Sequence, residues 1–346
     1  MSKSKTPLLL IFAILILLAA YLSYQHWKSR DSLSGRANIL SQMPVDANAI
    51  AFADLAQLRS SPFLEQLFAW APQSTPDGDY AQFLQATGFN YERDLDRLAV
   101  AVSWQWQNLA AFAVAEGRFD QKKIGTYASQ FGSLKTSDGK ILYAVPMSGT
   151  SRKAFFVFLR DDRIAWANDS SYFQRPSTGS PPEWREHFSR LAGAPLFVIL
   201  RPDSGAASAL AQVPGGLRSP QLAALLSQLQ WISIAGKPEG NLLRVVIDGE
   251  CPVEGTIRQL KEVLRGLVIL AQTGLNDAKT RKQLDPQLRE GYLELFQSVD
   301  IQELDRGSSK SVRVVFDVTP KLLQTAHNTP AATDPPPATP PRGPSK

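Results

Sequence analysis

Hydrophobic and polar positions divide this chain into three regimes. Residues Pro7–Tyr24, PLLLIFAILILLAAYLSY, carry no charged side chain. As a helix rising about 1.5 Å per residue the run reaches about 27 Å, close to the ~30 Å hydrocarbon core of a bilayer. It predicts a single membrane span over residues 7–24, with residues 1–6 in the cytoplasm. A cleaved signal peptide is the alternative, but its apolar region runs about 7–15 residues and ends at a small-x-small site. Here Leu18 is bulky, two positions before Ala20. After a polar connector at 25–44, alternating runs and helical periodicities follow one another from 45 to 326. From 327 to 346, seven prolines among Ala, Thr and Asp predict an extended, disordered tail.

The middle regime reads as strands and helices in a repeated order. Ala49–Leu55 alternates as a strand does. Ser61-Pro62 opens a helix, proline being tolerated in a first turn, and a second helix ends at Gly88. Leu98–Trp106 is a strand with Leu98, Val100, Val102, Trp104 and Trp106 on one face, and Leu109–Glu116 is its hairpin partner. Asp120 caps a helix through Phe131, and strands follow at 141–145, 154–160 and 163–167, the last two joined at Asp161-Asp162. The order then restarts with a strand at Pro195–Leu200 and a helix opened by Ser219-Pro220. A hairpin pairs 231–235 with 242–248 across Lys237–Gly240. A long helix over 253–273 shows apolar Ile257, Leu260, Leu264, Leu267 and Ala271 at helical spacing. A further helix at 286–297 and strands at 299–304 and 312–318 close the set.

The fold class predicted is α+β: an N-terminal transmembrane helix, then two tandem β-α-β-β-α-β-like units with mainly antiparallel sheets, at 45–193 and 194–326. The text Leu58-Arg59-Ser60-Ser61-Pro62 recurs as Leu217-Arg218-Ser219-Pro220 at the same place in each order. That placement suggests an internal duplication. Such units bury their bare sheet faces against each other or join at their edges.

Charge changes this picture little. The formal net charge of +5 resides at the ends: Lys3, Lys5, Lys28, Arg30 and Arg36 against Asp31, then Arg342 and Lys346 against Asp334. The middle is neutral and lacks the concentrated basic face of a nucleic-acid binder. Positive charges flank the span on both sides, so the positive-inside rule is nearly balanced. A long following domain favours the cytoplasmic N-terminus, with the bulk of the chain in the periplasm of a bacterial inner-membrane protein. The single cysteine, Cys251, excludes an intramolecular disulfide.

Candidate chemistry is sparse. Of three histidines only His187 lies in the middle regime, and no second His or Cys neighbours it in sequence, so no metal site or cofactor is expected. A hydrolase with a dispersed site around His187 would need a Ser or Cys and an Asp or Glu within hydrogen-bond reach. No G-x-S-x-G elbow, phosphate-binding loop or dinucleotide turn is present. Trp104 and Trp106 share a strand face and could line a ligand groove; core filling is the plainer account. Asn168-Asp169-Ser170 spells a glycosylation sequon.

Three stretches carry a resemblance: Asp46–Leu55 (DANAIAFADL), Ser61-Pro62, and Thr87–Leu98 (TGFNYERDLDRL). With the N-terminal span they resemble bacterial single-anchor envelope proteins with a duplicated α+β extracytoplasmic region. The resemblance implies no catalytic residue. The expected function is therefore non-catalytic: a membrane-anchored envelope protein that binds a protein partner or a ligand in the periplasm.

Overall fold

The computed structural model describes residues 35–70, 78–105, 108–137, 140–146, 153–174, 182–202, 220–307 and 309–328. The expected span, the connector as far as residue 34 and the tail from 329 lie outside the described residues. No helix among them is long and apolar enough to cross a membrane.

Twelve strands form one sheet: β1 Ala49–Asp54, β2 Leu95–Gln105, β3 Asn108–Gly117, β4 Ser133–Ser137, β5 Lys140–Pro146, β6 Lys153–Arg160, β7 Arg163–Ala167, β8 Leu196–Leu200, β9 Trp231–Glu239, β10 Leu242–Cys251, β11 Asp300–Asp305 and β12 Lys310–Val318. Their spatial order is β11-β12-β10-β9-β8-β1-β2-β3-β7-β6-β5-β4. The architecture is mixed α+β. The strands meet at β1 and β8, which pair antiparallel from Ala49↔Leu200 to Ala53↔Leu196. From that seam each half runs outward as three successive strands, then returns from its far edge. The halves thus join at their edges and share a continuous sheet.

Twelve helices are described: α1 at residues 35–40, then α2 Leu55–Arg59, α3 Pro62–Trp70, α4 Gly78–Thr87, α5 Tyr91–Asp94, α6 Gln121–Phe131, α7 Pro182–Arg190, α8 Pro220–Leu226, α9 Glu254–Asn276, α10 Ala278–Gln283, α11 Pro286–Ser298 and α12 Pro320–Asn328. Most start where local chemistry dictates. Asp120 accepts the Lys123 amide, Asp285 those of Gln287 and Leu288, and the Ser61 hydroxyl that of Leu64.

The two faces of the sheet carry different cores. On one, α1 and α7 cover the seam: Ile39, Leu40 and Met43 pack with Trp184, Phe52, Phe197 and Ile199. On the other, α8 and α9 cover the second half: Leu222, Leu225, Ile257 and Leu260 meet Ile232, Val312 and the buried Cys251. The first half's opposite face holds an aromatic cluster, in which Tyr143 stacks on Phe156 at 4.7 Å. There α6 lies so close that a methyl group at Gly125 would meet the Tyr143 hydroxyl.

Several expectations need correction. The connector at 25–44 does not extend to the fold: residues 35–43 are the lid of the main core, with Ile39 fully buried. Arg36 is buried with them. The hairpin between β9 and β10 turns at Gly240-Asn241 rather than across Lys237–Gly240, where Gly240 adopts a left-handed φ of +63°. On β2 the predicted face of Leu98, Val100, Val102 and Trp104 is only half-buried. The deeply buried face is the small one, Ala99, Ala101 and Ser103, because bulky Ile39, Phe52 and Trp184 fill the space above it. The polar strand β4 and the helices α2, α10 and α12 had not been expected.

Candidate functional site

The face covered by α1 also carries the charged chemistry. Asp54, Arg97, Glu116 and Arg163 are register partners across β1, β2, β3 and β7. Their side chains form a ladder of alternating sign. Arg97 donates to Asp54 at 3.2 Å and to Glu116 at 2.9 Å, and Arg163 donates to the other Glu116 oxygen. The ladder also clamps α1. Arg163 donates to Asn38 Oδ1 at 3.1 Å, Arg36 donates to the Ala192 carbonyl, and the Arg36 guanidinium lies 4.9 Å from the Phe52 ring centroid. Burial pushes Arg36 below its usual pKa, with Asp54 pulling it back up.

Beside the ladder opens a cavity of about 880 Å³. Its floor is the outer part of the first half-sheet: Leu142 and Ala144 of β5, Phe155 and Val157 of β6, Ala165 of β7 and Phe112 of β3. One wall is the chain from Asn38 to Asp46, the other the 3₁₀ turn Ser170–Phe173. Lys135, Lys140, Lys153 and Arg160 stand around it, and Arg163, 3% exposed, reaches it from the ladder. The Arg163 Nε–H has no partner among the described residues. The volume falls within the usual range for small-molecule sites, and the lining combines an apolar floor with a cationic rim.

A smaller cavity of about 270 Å³ lies on the same face of the second half-sheet, between α7 and β9, β10 and β12. Asp248 receives Arg313 at 2.8 Å and Arg306 at 3.1 Å, and Glu250 receives Arg190 at 2.6 Å. His187 stacks 4.2 Å from Trp231, and its Nδ1 meets Arg190 Nη2 at 3.1 Å. Glu250 lies 3.6 Å from the same nitrogen. Ser233 lines this cavity, but the described contacts of His187 run to Arg190, Glu250 and Trp231, with no Ser or Cys among them. Among the described residues no Ser or Cys hydrogen-bonds the imidazole.

Burial, and then the neighbouring Arg190 and Arg306, press the His187 pKa down to about 4. A histidine that titrates near 6.5 when unfolded takes up its proton first in the unfolded state. Its contribution to stability is therefore whole above pH 6.5 and lost as pH falls toward 4. At about 1.4 kcal/mol per pKa unit that loss is of the order of 3 kcal/mol. Urea unfolding of wild type and His187→Gln between pH 4 and 7 checks it: the difference between the two should change across that window and stay flat above it.

The other sequence-singled residues have structural places. Trp104 is half-buried on the sheet face opposite both cavities and lines neither; Trp106 lies outside the described residues. Asn168 uses its amide to extend β3, accepting from Ala111 and donating to Leu109. In the stretch that begins at Asp46, Asn48 accepts the Trp104 amide at 2.7 Å while its carbonyl takes the Arg201 amide. In the stretch that begins at Thr87, Gly88 ends α4 at φ +75°. Asn90 caps α5, and Arg93 holds the Asp94 carboxyl down at about 2. These stretches are thus joints of the fold.

No protein-family profile matches the sequence, and no curated protein matches it. Solved structures that are similar to the chain include three crystal forms of TP0453. Form IV aligns with TM-score 0.45 and 7% identity over 86% of this chain and 99% of that one. Form III aligns with TM-score 0.43 and 8% identity over 83% and 96%, and form I with 0.41 and 9% over 84% and 96%.

Proposed function

We propose that this is a single-pass protein of the bacterial inner membrane whose periplasmic region binds an apolar ligand without transforming it. The observation that carries this reading is the 880 Å³ cavity with its floor of aliphatic and aromatic side chains. Glu116 in the neighbouring ladder is held between two guanidinium groups.

The cytoplasmic N-terminus rests on the long domain that follows the span, since long domains translocate largely regardless of charge. We further infer that the two halves are copies of one unit. Both leave the β1/β8 seam as three antiparallel neighbours and fill the next positions from the edge inward, and the first half adds the hairpin β4–β5.

Ala144→Trp tests the binding reading, because an indole on the floor occupies the cavity. The full chain, purified from membranes and extracted with organic solvent, should release a small apolar compound that is absent from Ala144→Trp. Equal extracts from the two proteins, at equal melting temperature, would overturn the reading.

A further inference from the structure

We propose that the ligand of the large cavity is a single-chain amphiphile with an anionic head, its chain lying along the strands and its head at the end where Lys140, Arg160 and Arg163 converge. This rests on the cavity being the ligand site and adds the chemical class.

The register of the floor gives the cavity a direction. Ser133, Ala144 and Phe155 are neighbours in one row, and Lys135 and Leu142 form the next row toward the ladder. Along β6 the floor runs from Lys153 to Leu159, about 20 Å at ~3.3 Å per residue. A floor of that length, with Leu142, Ala144, Phe155, Val157 and Leu159 along it and Lys135 at its side, matches an extended alkyl chain better than a compact ring system.

Its two ends differ in charge. The ladder end gathers Lys140, Arg160 and the buried Arg163, with Lys135 one row inward. Glu116 at that end is already shared by Arg97 and Arg163, and Asp161 and Asp162 stand exposed in the β6–β7 turn, outside the cavity lining. Lys135, Lys140 and Arg160 make no ion pair among the described residues. The opposite end holds Lys153 and, on the wall, Asp46. Lysines on an edge strand commonly serve to block strand addition, which accounts for Lys135 on β4. It does not account for Arg160 on the interior strand β6, nor for Arg163, whose Nε–H is buried without a partner among the described residues. Guanidinium groups set beside an apolar trough suit a carboxylate or a phosphate, which they bind through paired N–H donors.

The test uses the full-length chain in its own membranes with a diazirine-bearing fatty acid as photoprobe, the labelled peptides being mapped by mass spectrometry. The expected result is label in β5 and β6. Dodecanoate and dodecyl phosphate should compete at least tenfold better than dodecanol, and dodecyltrimethylammonium should not compete. The relative strength of the two anions separates a fatty carboxylate from an alkyl phosphate. Lys140→Glu/Arg160→Glu changes exposed side chains only and should abolish the preference for anions while leaving competition by dodecanol intact. If all four compounds compete equally and charge reversal changes nothing, the assignment of an anionic head falls and the apolar ligand site survives. If label in β5 and β6 is absent, or persists undiminished in Ala144→Trp, the cavity is not a ligand site and both readings fall.

Discussion

A chain that starts at Val45 is expected not to reach a stable native state, whereas one that starts at Ser34 folds. The segment between them is polar enough to pass for a connector, yet Ile39, Leu40 and Met43 are almost wholly buried against β1, β8 and α7. Burying each such side chain contributes about 1.5–3 kcal/mol, so the three together approach the whole net stability of an ordinary domain, about 5–15 kcal/mol. Their loss would also open Trp184 and Phe52 to water and remove the Asn38 acceptor from Arg163. Circular dichroism and dye binding on the two fragments check the expectation: a cooperative melt for the longer, and strong dye binding without a melt for the shorter. A cooperative melt at the same temperature for both would show that α1 contributes nothing to the core.

Glu116→Ala is expected to lower the unfolding free energy by about 3–5 kcal/mol, the range seen when one partner of a buried ion pair is removed. Glu116 is the acceptor between Arg97 and Arg163. Without it two guanidinium groups face each other across β3 with only Asp54 to offset them, and desolvation of an unpaired charge is costly. The effect should shrink in Glu116→Ala combined with Arg163→Leu, because the second change removes the stranded cation. Urea unfolding of the two single variants and the double variant measures that coupling. Additive losses would mean that the ladder residues act independently.

The ladder shows why the charged chemistry was hard to see in the sequence. Asp54, Arg97, Glu116 and Arg163 sit at matching ends of four strands, and each could be read locally as a helix cap or a turn charge. Arg97 in particular stands among Glu92, Arg93, Asp94 and Asp96, where local pairing is the plain account. Arg93 does pair with Asp94, but Asp96 goes to Arg59, and Arg97 turns to the opposite face of β2 to meet Asp54 and Glu116. Parity along the strand decides this, since neighbouring residues point to opposite faces. The parity of Arg97 becomes meaningful only when one knows which face α1 covers.

Trp104 teaches the same lesson. The apolar stripe Leu98, Val100, Val102 and Trp104 was legible and is a true strand face, but the more buried face is the one with alanines. Side-chain size inverted the reading. Small residues lie where another layer packs tightly above, and large ones fill their own half-covered surface. The cavity was not legible at all. Its floor comes from four strands, its wall from a segment that looked like linker, and its cations from positions scattered along β4, β5, β6 and β7.

The one-dimensional pattern by itself determined the identity and order of most strands and helices, through alternation, helical spacing, caps and proline positions, all of which act within a few residues. It also marked the restart of the order near residue 195 and the absence of a recognisable catalytic motif. The tertiary structure alone decided that β1 and β8 pair to fuse the halves into one sheet, that residues 35–43 close the core, and that a charge ladder borders a cavity with an apolar floor. Those outcomes depend on register and on which face each layer covers, and both are set by contacts between residues far apart in the chain.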